Sequence, residues 1–391
     1  MTAIITGAAA VLLPAHPRAQ VLPTERYELA WTVAPPDSLA LIQPRSILIT
    51  NRCEVWIADP AGRLVYRWRC DGSGLGRVGR AGRGPGEFRG PWSISQYSGD
   101  TVVVWDASPQ MYRLSFMLDD GTYVHGRTLR PDPSARGRLD AFGKGPDGPL
   151  VWLNRIPRGV PGVNEDRSYV WTIDAEGMLE DSIVGMNAAE SIVVTDAIGT
   201  SRMDAPFQRR SVVLFLPERG FLVGNTGDNE LVWHEPTGRV VSRIDLGLPA
   251  SSVSEHHRAA YVDSARAGLH AELERSNLGP RYRDHFTRKF ARMLQDVDFP
   301  EKRQRYVHAA VGPALTVWVA LPGESLDYER TWHVYDLTSG QLARVIRVPH
   351  RWPVRAAAPW HDGLYVVEVS ADGFSRVAKY VPSTTGDRQG R

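Results

Sequence analysis

The chain repeats one phrase six times: VWIAD (Val55 to Asp59), VVVWD (Val102 to Asp106), LVWLN (Leu150 to Asn154), FLVGN (Phe221 to Asn225), VWVAL (Val317 to Leu321) and LYVVE (Leu364 to Glu368). Each is a β-forming run, closed in most copies by a polar or turn residue. The intervals between their last residues are 47, 48, 71, 96 and 47, a base period near 48 with one medium and one long insertion. A repeat of this length built from short strands is the signature of a β-propeller blade. Six copies predict an all-β fold, a six-bladed β-propeller of four-stranded blades, which the 391 residues fill as one domain.

Each phrase is preceded by another short strand: Ile47 to Thr50, Trp92 to Ser95, Leu139 to Phe142, Val212 to Leu216, Val307 to Val311 and Val354 to Ala358. Turns such as Ser98-Gly99-Asp100 and His361-Asp362-Gly363 join the pairs, which are predicted to be the inner two strands of each blade. Outer strands follow in hairpins, for example Met111 to Met117 with Thr122 to Arg127, and Tyr169 to Ile173 with Met178 to Val184. The last blade supplies only three strands, ending with Phe374 to Val381, while Arg26 to Val33 has no blade of its own. Open sheet edges are costly, so the N-terminal segment is predicted to pair there and close the ring.

The longest interval holds a helical insert, residues 251–303, between blades 4 and 5. Ser252 with Glu255 reads as a capping box, and Tyr261, Ala265, Leu269 and Leu273 form an i, i+4 stripe. Asn277 and Gly279 end this helix; Pro280 opens a second, with its stripe at Phe286, Phe290, Met293 and Val297. By strand alternation the insert, Met186 to Gln208 and Arg155 to Arg167 all emerge on one face of the ring. Loops carry function on a rigid scaffold, so this is the expected binding face.

Charge is nearly balanced, 46 Lys and Arg against 44 Asp and Glu, so no global field points to nucleic acid or an anionic membrane. Residues 1–20 read as a signal peptide, with an apolar stretch from Ala3 to Leu13 too short to span a bilayer; the propeller then occupies 21–391, and the expected location is periplasmic or extracellular. No later segment reads as transmembrane. The only cysteines, Cys53 and Cys70, flank the turn Asp59-Pro60-Ala61-Gly62. Pairing Ala58 with Arg63 or its near neighbours brings them almost opposite each other, and export would oxidise them to a disulfide; two buried thiols is the alternative.

Between Gly79 and Ile94 stands GRAGRGPGEFRGPWSI, followed by VVVWDASPQMYRLSF (Val102 to Phe116). This stretch resembles the linker and following strands of bacterial NHL-repeat-like six-bladed propeller proteins, in which a GxGPGEF turn and a Pro lead into the next inner strand. DFPEKRQRYVHAAVGPALTVWV (Asp298 to Val319) is similar to the exit from an insert into a blade. Gly74-Leu75-Gly76-Arg77-Val78-Gly79 spells GxGxxG but follows no βαβ unit, so it reads as a flexible linker.

On the expected binding face Arg138, Arg210, Arg305 and Arg355 stand at or near the start of four inner strands, where a guanidinium ring would hold carboxylates or phosphates; each could equally pair with an acidic neighbour and staple blades. His308, on an inner strand, is the candidate for chemistry, with a satisfied channel histidine as the alternative. Asp59, Asp106, Asn154, Asn225 and Glu368 end their strands on the same face and could offer oxygen ligands to Ca²⁺, as in lactonase-like six-bladed enzymes; such side chains more often bond their own turns. GxSxG, HExxH and P-loop motifs are absent from the sequence. The leading reading is an exported binding module that presents a loop-rich, helix-capped face to a small molecule or protein, with no cofactor. The alternative is a Ca²⁺-dependent hydrolase or lyase at the channel, which the resemblance brings with it.

Overall fold

The computed structural model describes residues 22–33, 41–74, 76–108, 111–130, 137–145, 148–155, 162–196, 199–275, 279–295, 297–323, 329–350, 352–369 and 375–384. The expected signal peptide, residues 1–20, lies outside them. The innermost strands of successive sheets neighbour one another in a closed cycle. Ser46–Ile49 lies beside Pro91–Ser98, followed by Gly137–Lys144, Ser211–Leu216, His308–Gly312 and Val354–Trp360, which returns to Ser46–Ile49. Each is the edge strand of its sheet, the arrangement of a β-propeller.

The first sheet runs outward through Ser46–Ile49, Glu54–Asp59, Leu64–Arg69 and Gly76–Val78, and the second and fourth repeat this four-strand meander. An eight-stranded sheet completes the ring. It consists of a half from His308–Gly312 to Leu342–Pro349 and a half from Val354–Trp360 to Thr24–Val33. The predicted closure is present: Thr24–Val33 runs antiparallel to Ser375–Pro382, with Glu28 opposite Val381 and Leu29 opposite Tyr380. Its other edge was not foreseen. Thr24, Glu25 and Arg26 pair in parallel with Val345, Ile346 and Arg347, so the last two four-stranded units share one sheet.

The repeated phrases stand out because they are buried on both sides. Along Glu54–Asp59, Val55 and Ile57 face the cluster shared with Tyr365 and Val377, while Trp56 and Ala58 face the cluster shared with Ile94 and Val104. Alternate side chains of one strand therefore serve two neighbouring cores, and no polar face breaks the apolar run. Further clusters lie between each later pair of neighbours, around Trp105, Phe221, Tyr335 and Trp332. Register in the first sheet is fixed by Glu54 opposite Arg69 and Ala58 opposite Val65. That places Cys53 against Cys70, and the disulfide forms with a Cα–Cα separation of 5.3 Å.

The GPGEF turn has a physical cause. The Glu87 carboxylate accepts hydrogen bonds from Arg83 N (2.8 Å), Gly84 N (2.7 Å) and Arg80 Nε (2.6 Å). A side chain at Gly79 would meet Gly86 O at 2.2 Å and the buried Phe88 ring at 2.6 Å, and its φ is +71°, so only glycine fits.

Three expectations are corrected. Gly76–Val78 is not a linker but the outer strand of the first sheet, paired with Val65 to Arg67, because Val78 is buried against the next sheet. The third sheet has no simple loops at 162–167 and 186–204: Gly162–Ile173 and Leu179–Asp196 form one long hairpin, and Gly199–Asp204 adds a fifth strand. The first helix, α1 (Glu255–Arg275), is capped by Ser254 rather than Ser252: Ser254 Oγ accepts from His257 N (3.3 Å), and His257 Nδ1 accepts from Ser254 N (3.1 Å). Ser252 instead pairs with Lys302 in a bridge that zips the two ends of the insert together.

Candidate functional site: a cationic channel mouth under α1

The insert folds as α1 and α2 (Pro280–Gln295), which touch each other. Its base docks through aromatic rings: Phe207, before the fourth sheet, lies 5.8 Å from Tyr261 and 6.3 Å from Phe299, and Tyr261 meets Phe299 edge-on at 5.8 Å. Arg303 ties the same corner, donating to Gly323 O (2.9 Å), with its Nη1 3.0 Å from His257 Nε2. In α2, Met293 and Leu294 are buried while Tyr282 and Phe286 are exposed.

Docked this way, α1 overhangs one mouth of the ring. Tyr261, Ser264 and Gly268 form the roof of a cavity of about 1020 Å³ whose floor is the first residues of the inner strands. Arg45, Arg210, Arg355 and His308 line it, and no Asp or Glu does so among the described residues. Arg45 lies over the Trp92 ring, 4.8 Å from its centroid, which pre-sets the guanidinium plane. Arg355 is exposed and has no hydrogen bond or ion pair among the described residues. Four buried polar atoms in the wall, Ser93 Oγ, Gln208 Oε1, Gln304 Oε1 and Tyr306 Oη, lack a hydrogen-bond partner among the described residues, and groups of this kind are rarely left without one. Burial within the ring, and then the Arg330 guanidinium, hold the His308 imidazole below the usual histidine range. It is therefore neutral near pH 7.

The other residues singled out from sequence are placed as follows. Arg305 stands behind the wall, donating to Gly227 O (3.2 Å) and Leu248 O. The side chains of Arg138 and Asn154 are outside the described structure. Asp59 accepts from Ile42 N (2.8 Å), Gln43 N (3.0 Å) and Gly62 N (3.1 Å). Asp106 repeats this role one blade on, accepting from Gly90 N (2.7 Å), Arg89 N (3.0 Å) and Arg113 Nη2 (3.4 Å). Asn225 bonds Gly227 N (2.9 Å) and Asn187 O (3.2 Å). Glu368 is enclosed by Tyr380 Oη (2.6 Å), Arg376 Nη2 (2.6 Å) and His350 Nδ1 (3.3 Å). Asp59 and Asp106 thus anchor the segments that lead into the first two inner strands. Among the described residues no three His, Cys, Asp or Glu side chains are grouped closely enough to hold a metal ion.

Sequence reasoning missed Arg45 and Trp92; it expected a helical cap over this face without assigning it to α1. Arg45 was within reach, since it precedes Ser46–Ile49 as Arg210 precedes Ser211–Leu216. Which of the two helices lines the cavity was not, because that depends on how the insert leans.

The chain matches no protein-family model and no curated protein. Among solved structures it is similar to a protein of Bacteroides fragilis assigned as exported (12% identity over 92% of this chain and 96% of that one, TM-score 0.47). Others are virginiamycin B lyase from Staphylococcus aureus (10%, 91% and 100%, 0.42) and the calcium-binding protein regucalcin from Agrobacterium tumefaciens (12%, 93% and 98%, 0.42). Likeness at this level carries no functional inference. No helix among the described residues is long and apolar enough to cross a membrane.

Proposed function

We propose that the chain is an exported six-bladed propeller that binds a small anionic molecule in the α1-roofed mouth of its channel. The blade count is supported by the closed cycle of six inner strands, with the eight-stranded sheet taken as two blades. Export is supported by the Cys53–Cys70 disulfide, a bond that persists in oxidising compartments. The observation that carries the ligand class is the one-sided charge of the lining: three guanidinium groups and no carboxylate among the described residues, beside orphaned polar atoms. In a concave, partly desolvated site such groups hold an anion by charge-assisted hydrogen bonds.

Isothermal titration of the purified mature chain with butanoate, citrate and inorganic phosphate tests this. At least one should bind, more weakly as salt rises, and Arg355→Ala should weaken it at least about tenfold, the loss of one charged hydrogen bond. Replacing residues 251–301 by a Gly-Ser linker should also weaken binding while the β-rich circular dichroism persists. No binding by any probe, or affinities unchanged in both variants, overturns the proposal.

A further inference from the structure

Five of the six inner strands continue from the cationic mouth into a second cavity, of about 480 Å³, toward the opposite face. Ser46 lines the first and Ile47 to Ile49 the second; Ser93 is followed by Ile94 and Ser95, His308 by Ala309 and Ala310, and Arg355 leads to Ala357 and Ala358. The two spaces abut along the same strands. The five steps from Arg355 to Trp360 span about 16 Å at the rise of a β-strand.

The chemistry of the two ends is opposite. The second cavity is walled by aliphatic, aromatic and small residues from five inner strands, with Asn51, Ser95, Gln96 and His361 its polar members and no Asp, Glu, Lys or Arg among the described ones. Alanine and glycine at 309, 310, 312, 357 and 358 keep side-chain bulk out of the space. An apolar cavity abutting a cationic mouth is matched by a molecule whose charge sits at one end and whose body is apolar.

We infer that the ligand is an amphipathic anion, a carboxylate or phosphate head held at Arg45, Arg210 and Arg355 with an apolar chain extending down the channel past Ile94 and Ala310. This rests on the anion-binding reading above and narrows its ligand class. The mouth holds the head. The channel grips the tail by excluding water from it, so affinity should grow with chain length until the far cavity is filled.

The test is calorimetric titration of the mature chain with butanoate, hexanoate, octanoate and decanoate, each below its aggregation concentration, in the wild type and in Ser95→Phe. Ser95 lines the far cavity and its side chain makes no hydrogen bond among the described residues, so the substitution narrows the channel without touching the arginines. In the wild type, affinity should rise by up to about fourfold per buried methylene. In Ser95→Phe, butanoate should bind as in the wild type while the gain with length is cut short. Butanoate and decanoate binding equally to the wild type would overturn the amphipathic ligand and leave the anion site standing. A length dependence unchanged in Ser95→Phe would place the tail outside the channel and overturn it too. Failure of all four carboxylates, together with citrate and phosphate, would overturn the anion site itself.

Discussion

The role of the strand-ending acids can be tested at Asp106. Its carboxylate is fully buried and accepts from the backbone N–H groups of Arg89 and Gly90, and it is the one acidic partner of the buried Arg113 guanidinium among its described bonds. In Asp106→Ala two buried N–H groups lose their acceptor, each costing about 1–3 kcal/mol. Arg113 is left without a counter-charge, for which broken buried pairs cost about 3–5 kcal/mol. These terms overlap, because Arg113 keeps the carbonyls of Arg83 (2.9 Å), Gly84 (3.0 Å) and Glu87. The expected loss is therefore about 3–5 kcal/mol rather than the sum. Asp106→Asn keeps an acceptor but not the charge and should lose about half as much. Equilibrium urea unfolding followed by tryptophan fluorescence, with and without millimolar Ca²⁺, is the assay, and the 12 tryptophans give ample signal. A loss in Asp106→Ala below about 1 kcal/mol would refute the anchoring role. So would a Ca²⁺-dependent stabilisation of the wild type that the substitution abolishes, which would make Asp106 a ligand instead.

Two further outcomes follow from the same geometry. Removing residues 1–37 deletes a strand that covers two sheet edges and carries Tyr27, buried in the core, and Trp31, edge-on to Tyr365 and donating to Cys70 O at 3.2 Å; size-exclusion chromatography should show aggregation, and an unchanged melting temperature would refute the closure. Burial, first of all, holds the imidazoles of His308, His333 and His350 below their usual range. Below about pH 6.5 the unfolded chain then binds protons that the native state does not. Stability is full above that pH and falls as it drops, by up to about 1.4 kcal/mol per pH unit for a histidine that stays neutral, such as His308, held at about 3. Urea midpoints at pH 7.5, 6.0 and 5.0 check the slope, and His350→Gln should reduce it. A flat profile across this window would contradict the assignment.

The repeat, its period, the inner strand pairs, the closing strand and the disulfide were all legible in the chain. The reason is local: a strand buried on both sides must be apolar throughout, as Val55 to Ala58 are. Turn glycines then mark where each run ends. Cys53 and Cys70 follow from the same local fact, since a hairpin of fixed register decides which residues face each other. Where pairing depended on distant partners the sequence misled. Gly76–Val78 carries one buried apolar residue, and the polar run Asn164 to Arg167 became strand because the segment from Asn187 to Ser191 pairs with it. The candidate site shows the same division. Arginines at strand starts could be read as a class, but only the tertiary structure separates Arg45, Arg210 and Arg355, which line the cavity, from Arg305, turned back onto Gly227 and Leu248 carbonyls. The sequence located a two-helix insert and led to the expectation that it caps the loop-rich face. That α1 roofs the channel was decided by the contact of Tyr261 with Phe207 and Phe299 across the chain, a long-range packing choice that no local pattern encodes.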